Sequence, residues 1–187
     1  MMTTAHKYTP PVFLVPAPKI QKQLAEPIKV PGTDEKVSDL VIIHDPSKCT
    51  GCNQCMIGCA YKHYRTFDRR FALLYVNESP NKNGFYVNAN CQHCVFPMCL
   101  ASCPKEAIYK DEKGIVRISP MLCVGCGTCN QACPIGIPRL DDERKIYVKC
   151  DFCDGEYPMC FQMCSTGALK LLPRKEAFEL VKKLRSV

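Results

Sequence analysis

Sixteen cysteines in 187 residues fall into four sets of four, with none left over. The sets are Cys49, Cys52, Cys55 and Cys59; Cys91, Cys94, Cys99 and Cys103; Cys123, Cys126, Cys129 and Cys133; and Cys150, Cys153, Cys160 and Cys164. Each ends in the same C-x3-C step, and the third reads C-x2-C-x2-C-x3-C-P. A C-x2-C-x2-C loop wraps three thiolates around one corner of a cubane [4Fe–4S] cluster and turns backbone N–H groups toward its sulfides. A structural zinc site is built from separate two-ligand knuckles closed tetrahedrally, which three crowded cysteines fit poorly. Disulfide frameworks have no reason to repeat a three-residue step, so reduced, metal-bound thiolates are the better reading. The chemistry these residues can do is one-electron transfer through four [4Fe–4S] clusters. Zinc or a three-iron cluster at one of the four sites is the alternative.

The elements that must position these sets are small. Leu40 to Ile43 is a β-branched run leading into Asp45, Pro46, Ser47, Lys48 and the first set. Phe71 to Val76 and Phe85 to Val87 read as a hairpin across Pro80 to Gly84. Ala107 to Tyr109 and Ile115 to Ile118 read as a second hairpin around Asp111 to Gly114. Ile146 to Val148 precedes the fourth set and Ala168 to Leu172 follows it. Glu176 to Leu184 carries Phe178, Leu180, Val181 and Leu184 at helical spacing and predicts a terminal helix. The order of cysteine set, strand, loop, strand and cysteine set repeats, the mark of an internal duplication. In so small a chain the metal sites supply much of the folding free energy.

Residues 1–40 differ. They hold Pro10, Pro11, Pro16, Pro18, Pro27 and Pro31 and no cysteine, a composition that favours an extended path. The apolar run Val12, Phe13, Leu14 and Val15 is a candidate for lying along a partner subunit, with a disordered tail as the alternative. The organisation expected is residues 1–40 as an extended segment, 41–172 as the cluster-bearing domain and 173–187 as a terminal helix and tail.

The formal charge of +7 counts every cysteine as neutral. Four clusters with their thiolates carry about −2 each, which brings the loaded chain to about −1. The basic residues are therefore counter-charge for buried anions, and a nucleic-acid surface is not expected. No window approaches the roughly 18 apolar residues of a membrane span. Met1 to Lys7 is followed by prolines and not by a signal-peptide core. A cytoplasmic setting follows as the expectation. From Lys170 to Val187 six basic residues face two acidic ones, read as a solvated helix face.

The motifs Cys49-Thr50-Gly51-Cys52-Asn53-Gln54-Cys55, Cys91-Gln92-His93-Cys94, Cys123-Val124-Gly125-Cys126-Gly127-Thr128-Cys129 and Lys149-Cys150-Asp151-Phe152-Cys153 carry a resemblance. In these and in the order of the four spacings, residues 41–172 are similar to the four-cluster ferredoxin-like electron-transfer subunits of multi-subunit oxidoreductases. The resemblance implies an α+β fold of two bacterial-ferredoxin-like modules, with short strands and helices around the clusters. It also implies crossed ligation. Cys49, Cys52 and Cys55 would share a cluster with Cys164, and Cys150, Cys153 and Cys160 one with Cys59. Cys91, Cys94 and Cys99 would pair with Cys133, and Cys123, Cys126 and Cys129 with Cys103. Pro104 and Pro134 follow their cysteines as the family pattern expects, whereas Ala60 and Ser165 stand where proline is expected. That departure removes a fixed dihedral and restores a backbone donor.

The partner implied is a larger catalytic subunit, with a tungsten or molybdenum pterin enzyme favoured, including the aldehyde-oxidoreductase type. A hydrogenase or carbon monoxide dehydrogenase is the alternative. A further electron-carrier subunit or a ferredoxin would stand at the other end of the path. A free polyferredoxin and a zinc-rich interaction module are the rival classes. No catalytic residue is assigned, since substrate chemistry belongs to the partner. Around the cysteines, His93 is expected to pack at the surface, with redox or proton coupling to the second set as the alternative. His44 and His63 flank the first set, and Rieske-type ligation by either would need a missing cysteine. Met98, Met121, Met159 and Met163 are expected to form an apolar shell near the sulfurs. Lys48, Lys105 and Lys149 are either potential-raising charges or solvated surface, and Arg65, Arg69 and Arg70 form an exposed basic group.

Overall fold

The computed structural model describes residues 39–185. The proline-rich segment, including Val12 to Val15, lies outside them. Short strands and helices alternate, an α+β architecture without a large sheet. The strands are β1 (Leu40–His44), β2 (Tyr75–Glu78), β3 (Tyr86–Ala89), β4 (Ile108–Lys110), β5 (Val116–Ile118), β6 (Arg139–Asp141), β7 (Ile146–Val148) and β8 (Leu169–Pro173). The helices are α1 (Gln54–Tyr64), α2 (Met98–Ala101), α3 (Thr128–Ala132), α4 (Met159–Gln162) and α5 (Arg174–Arg185). Among the described residues no helix is long and apolar enough to cross a membrane.

All sheets are antiparallel pairs: β1 with β8, β2 with β3, β4 with β5 and β6 with β7. The first pairing joins the two ends of the described chain, with Leu40 opposite Pro173 and His44 opposite Leu169. Leu40, Ile42, Leu169 and Leu171 bury their side chains in one core with Met56, Leu73, Leu74 and Phe152. A smaller core gathers Ile108, Val116 and Cys129. Helices pack in two pairs, α1 on α4 and α2 on α3. Gly58 of α1 is where α4 crosses, and a side chain there would meet the Met159 and Met163 side chains.

The second hairpin forms as expected. The first is shifted, because Phe71 closes a 3-10 turn and Ala72, Leu73 and Leu74 turn into the core before β2 begins at Tyr75. Burying three consecutive residues is incompatible with the alternation of a two-stranded surface hairpin. Strand β6, partner of the expected Ile146 to Val148 strand, carries only three residues and no apolar alternation, so nothing in its residue pattern marks it. Helix α5 begins at Arg174, whose guanidinium donates to the carbonyls of Gln92 and His93 at 3.1 and 3.0 Å.

The two missing prolines act unequally: α4, followed by Cys164 and Ser165, still ends at Gln162, whereas α1 is lengthened. Helices α2 and α3 end before Cys103-Pro104 and Cys133-Pro134, since proline cannot supply the helical N–H. With Ala60 in that place, α1 runs through Cys59 to Tyr64 and ends at Arg65 in the left-handed region (φ 54°). The added turn carries Lys62 to Glu156 and His63 to within 3.6 Å of Asp151, tying the first set to the loop of the fourth.

Candidate metal centres

Each cysteine set begins in a loop and ends on or just after a short helix. In the first and third sets the loop turns on a glycine before the second cysteine. Gly51 (φ +69°) and Gly125 (φ +71°) adopt left-handed geometry, and a Cβ would strike the Tyr86 ring at the first and the Lys145 carbonyl at the second. The glycines thus let two hairpins press directly onto the cysteine loops.

The thiols gather in cups made from more than one set. One cup is lined by Cys49, Cys52, Cys55 and Cys164, together with His44, Asn53 and Asn88. Another is lined by Cys103, Cys123, Cys126 and Cys129, with Lys105 at its edge. Among the described residues no three His, Cys, Asp or Glu side chains draw together tightly enough for a single ion. All sixteen cysteines are free of disulfides.

Mutual electrostatics extends the grouping. Burial pushes the Cys55 thiol up to about 12, and Cys164, Cys52 and Cys49 add to it. Burial likewise raises Cys59 to about 12, with Cys153, Asp151 and Cys55 close enough to add to it. Cys160 is raised by burial and then by Cys59, Cys153 and Cys55. Cys150 is raised by burial and then by Cys91, Cys160 and Cys59, against the opposing Lys149. Cys99 is raised by burial, opposed by Lys149, with Cys91 and Cys133 beside it. Cys129 rises to about 11 through burial and Cys123, with Cys99 and Cys126 nearby. Thiols this weakly acidic stay protonated until a metal takes the proton's place.

The surroundings suit anionic sulfur. Backbone N–H groups of Leu73, Tyr147, Phe152 and Leu169 point at the sulfurs of Cys59, Cys123, Cys150 and Cys164 at 3.3, 3.3, 3.4 and 3.3 Å. Cys59 and Cys164 are the two fourth cysteines that lack a following proline, yet their donors are other residues and not the freed Ala60 or Ser165. The exposed Cys126 thiol is lowered by the Thr128 hydroxyl, 3.4 Å away. Donors to sulfur, apolar walls and cups lined by four thiols together fit a [4Fe–4S] group.

Several flanking residues depart from expectation. His93 is not at the surface: it is 5% exposed, because its ring stands edge-on to Phe152 and its Nδ1 accepts the Val116 N–H at 3.1 Å. Burial, then Lys149, pulls it down to about 3, so it is neutral. Lys149 is 6% exposed, and its ammonium donates to the carbonyls of Val116 and Cys150. Lys48 and Lys105 are exposed as solvated surface, as are Arg65, Arg69 and Arg70, with Arg70 held by Asp68. The methionine shell is only half present. Met159 and Met163 pack on Gly58, whereas Met98 and Met121 point outward from a helix start and a loop. His63 Nε2 lies 3.9 Å from the Cys153 sulfur, a contact that the extra turn of α1 creates. The backbone donors to sulfur and the burial of Lys149 have no signature in the residue pattern, since both depend on which strand crosses which loop.

Residues 82–174 match the family model described as a 4Fe-4S dicluster domain. The chain is 34% identical over 145 residues to the "Uncharacterized ferredoxin-like protein YdhX" of Escherichia coli (strain K12), covering 72% of this chain and 65% of that protein, a little under two thirds of its length. It is 34% identical over 143 residues to the thiosulfate reductase electron transfer subunit PhsB of Salmonella typhi, covering 70% and 73%. It is 32% identical over 148 residues to the B subunit of the anaerobic dimethyl sulfoxide reductase of Escherichia coli (strain K12), covering 71% and 72%. Among solved structures, one component of the active site complex BamBC of benzoyl coenzyme A reductase superposes with a TM-score of 0.42 at 22% identity, over 79% of this chain and 89% of that one. That likeness is too loose to bear on function.

Proposed function

Because the chain belongs to the family of [4Fe–4S] ferredoxin-like electron-transfer subunits, we propose that it relays electrons through four clusters to or from a larger catalytic oxidoreductase subunit. The observation that carries this reading is the pair of thiol cups, each drawing three cysteines from one set and its fourth from another. Ligation is crossed in two ferredoxin-like modules: Cys49, Cys52, Cys55 with Cys164; Cys150, Cys153, Cys160 with Cys59; Cys91, Cys94, Cys99 with Cys133; and Cys123, Cys126, Cys129 with Cys103. When bound, each cluster accepts and passes one electron at a time.

The order of the relay is supported by which thiols feel one another. Cys55 and Cys160 link the first two groups, Cys150 and Cys91 the second and third, and Cys99 and Cys129 the third and fourth. The N–H groups of Leu73, Tyr147, Phe152 and Leu169 would hold the sulfurs of Cys59, Cys123, Cys150 and Cys164 in place and favour their anionic form. PhsB and the dimethyl sulfoxide reductase subunit are named for reductases, which supports a catalytic oxidoreductase partner here. A molybdenum or tungsten pterin enzyme is the partner we favour, in a compartment that keeps thiols reduced such as the cytoplasm.

The test is composition first and partner second. Anaerobically purified protein should hold close to sixteen iron and sixteen sulfide, four for each of the four cysteine sets. About twelve of each with one zinc would defeat the four-cluster reading. Native co-purification should then bring down a metal-pterin subunit; a hydrogenase subunit in its place would overturn the partner.

A further inference from the structure

We propose that His44 donates an N–H hydrogen bond to a sulfur of the cluster held by Cys49, Cys52, Cys55 and Cys164, and so sets the potential at that end of the relay. The inference rests on the ligation reading above for that cup. His44 shares the face of β1 that carries Leu40 and Ile42 into the core and stands opposite Leu169 of β8. That face leads into the cup, which His44 lines beside the four thiols. From β3, the Asn88 backbone N–H donates to His44 Nδ1 at 3.3 Å. A nitrogen that accepts carries no proton, so the neutral ring holds its hydrogen on Nε2. Burial disfavours the doubly protonated ring, with Asp45 opposing weakly.

Nε2 is buried and has no partner in the protein. Among the described residues five buried side-chain polar atoms are in that condition, and four belong to His44, Asn53 and Asn88, all in this one cup. Buried polar atoms are nearly always paired. Two of the four, His44 Nε2 and Asn88 Nδ2, are donors that no group of the protein accepts from. The partner of the Nε2–H must be an acceptor, and a cluster held by the four thiols of this cup would bring sulfur acceptors to the same wall. The Leu169 N–H already reaches Cys164 from the same wall. Hydrogen bonds to sulfur favour the more negative, reduced form and raise the potential. His63 lies against Cys153 and His93 sits within the second set, so among the described residues His44 is the histidine of this cup.

The experiment uses the full chain, loaded and purified anaerobically, with histidine labelled by nitrogen-15. The electron paramagnetic resonance signal of this cluster is first identified as the one altered by Cys52→Ser. Pulsed measurement of that signal in the wild-type chain should show coupling to a histidine nitrogen-15. In a redox titration, His44→Leu should weaken reduction of that signal about tenfold, which is about 59 mV for a one-electron couple. The other three signals should hold, and His44→Gln, which keeps an N–H, should recover most of the loss. Absence of histidine coupling on the wild-type signal overturns the proposal even where a variant fails to assemble. An unchanged midpoint in His44→Leu at full iron content overturns it as well. A wild-type chain without [4Fe–4S] signals would instead defeat the underlying ligation reading.

Discussion

Lys149 is the residue whose removal should report most directly on the middle of the relay. Its ammonium is buried, 2.7 Å from the Cys150 carbonyl and bonded also to the Val116 carbonyl. It opposes the burial-raised thiols of Cys150 and Cys99, which we assign to adjacent inner clusters. At a separation of about 6 Å and an effective dielectric near 20, a unit charge contributes about 3 kcal/mol. For a one-electron couple that is roughly 120 mV. Lys149→Met should therefore lower the midpoints of both inner clusters by up to about 120 mV while leaving the two outer ones nearly unmoved. It also leaves two buried carbonyls without their donor, at a cost on the order of 1–3 kcal/mol each. Lys149→Arg keeps the charge and should restore the midpoints even if stability falls. The assay is a redox titration followed by electron paramagnetic resonance on protein of verified iron content. If all four midpoints fall together, or none does, the ammonium is not positioned between the inner pair and the reasoning fails.

Three further outcomes can be checked independently. Cys59→Ala should disturb the cluster of Cys150, Cys153 and Cys160 and spare that of Cys49, Cys52 and Cys55; loss of the reverse signal would show that each set binds its own fourth cysteine. Gly125→Ala places a methyl group against the immovable Lys145 carbonyl in a left-handed backbone, so it should lower thermal stability by roughly 1–3 kcal/mol and shed iron preferentially from the Cys123 site, whereas a wild-type melting curve would remove the close-approach argument. Deletion of residues 1–38 should leave iron content intact and weaken binding to the catalytic subunit; loss of iron with unchanged binding would make that segment part of the cluster domain.

Much of the cluster chemistry was legible in the chain itself. The metal-binding reading of the cysteine sets needs only local spacing, because closely spaced thiolates can meet one cubane corner whatever the rest of the fold does. The hairpin of β4 and β5 was equally legible, since its apolar residues flank a turn-forming Asp111 to Gly114. Ala60 in place of a proline signalled a local change, though not that α1 would run on to Tyr64 and carry His63 to Cys153. What tertiary structure alone decided is where distant backbone falls. The β1 and β8 pairing spans more than a hundred residues and turns His44 into the first cup. The sequence puts His93 at the surface and leaves Lys149 open between a potential-raising charge and solvated surface, yet Val116, Phe152 and the Cys150 carbonyl enclose them. Spacing along a chain determines which atoms can bind one metal group; only packing across the chain determines which charges and N–H donors surround it, and those set its potential.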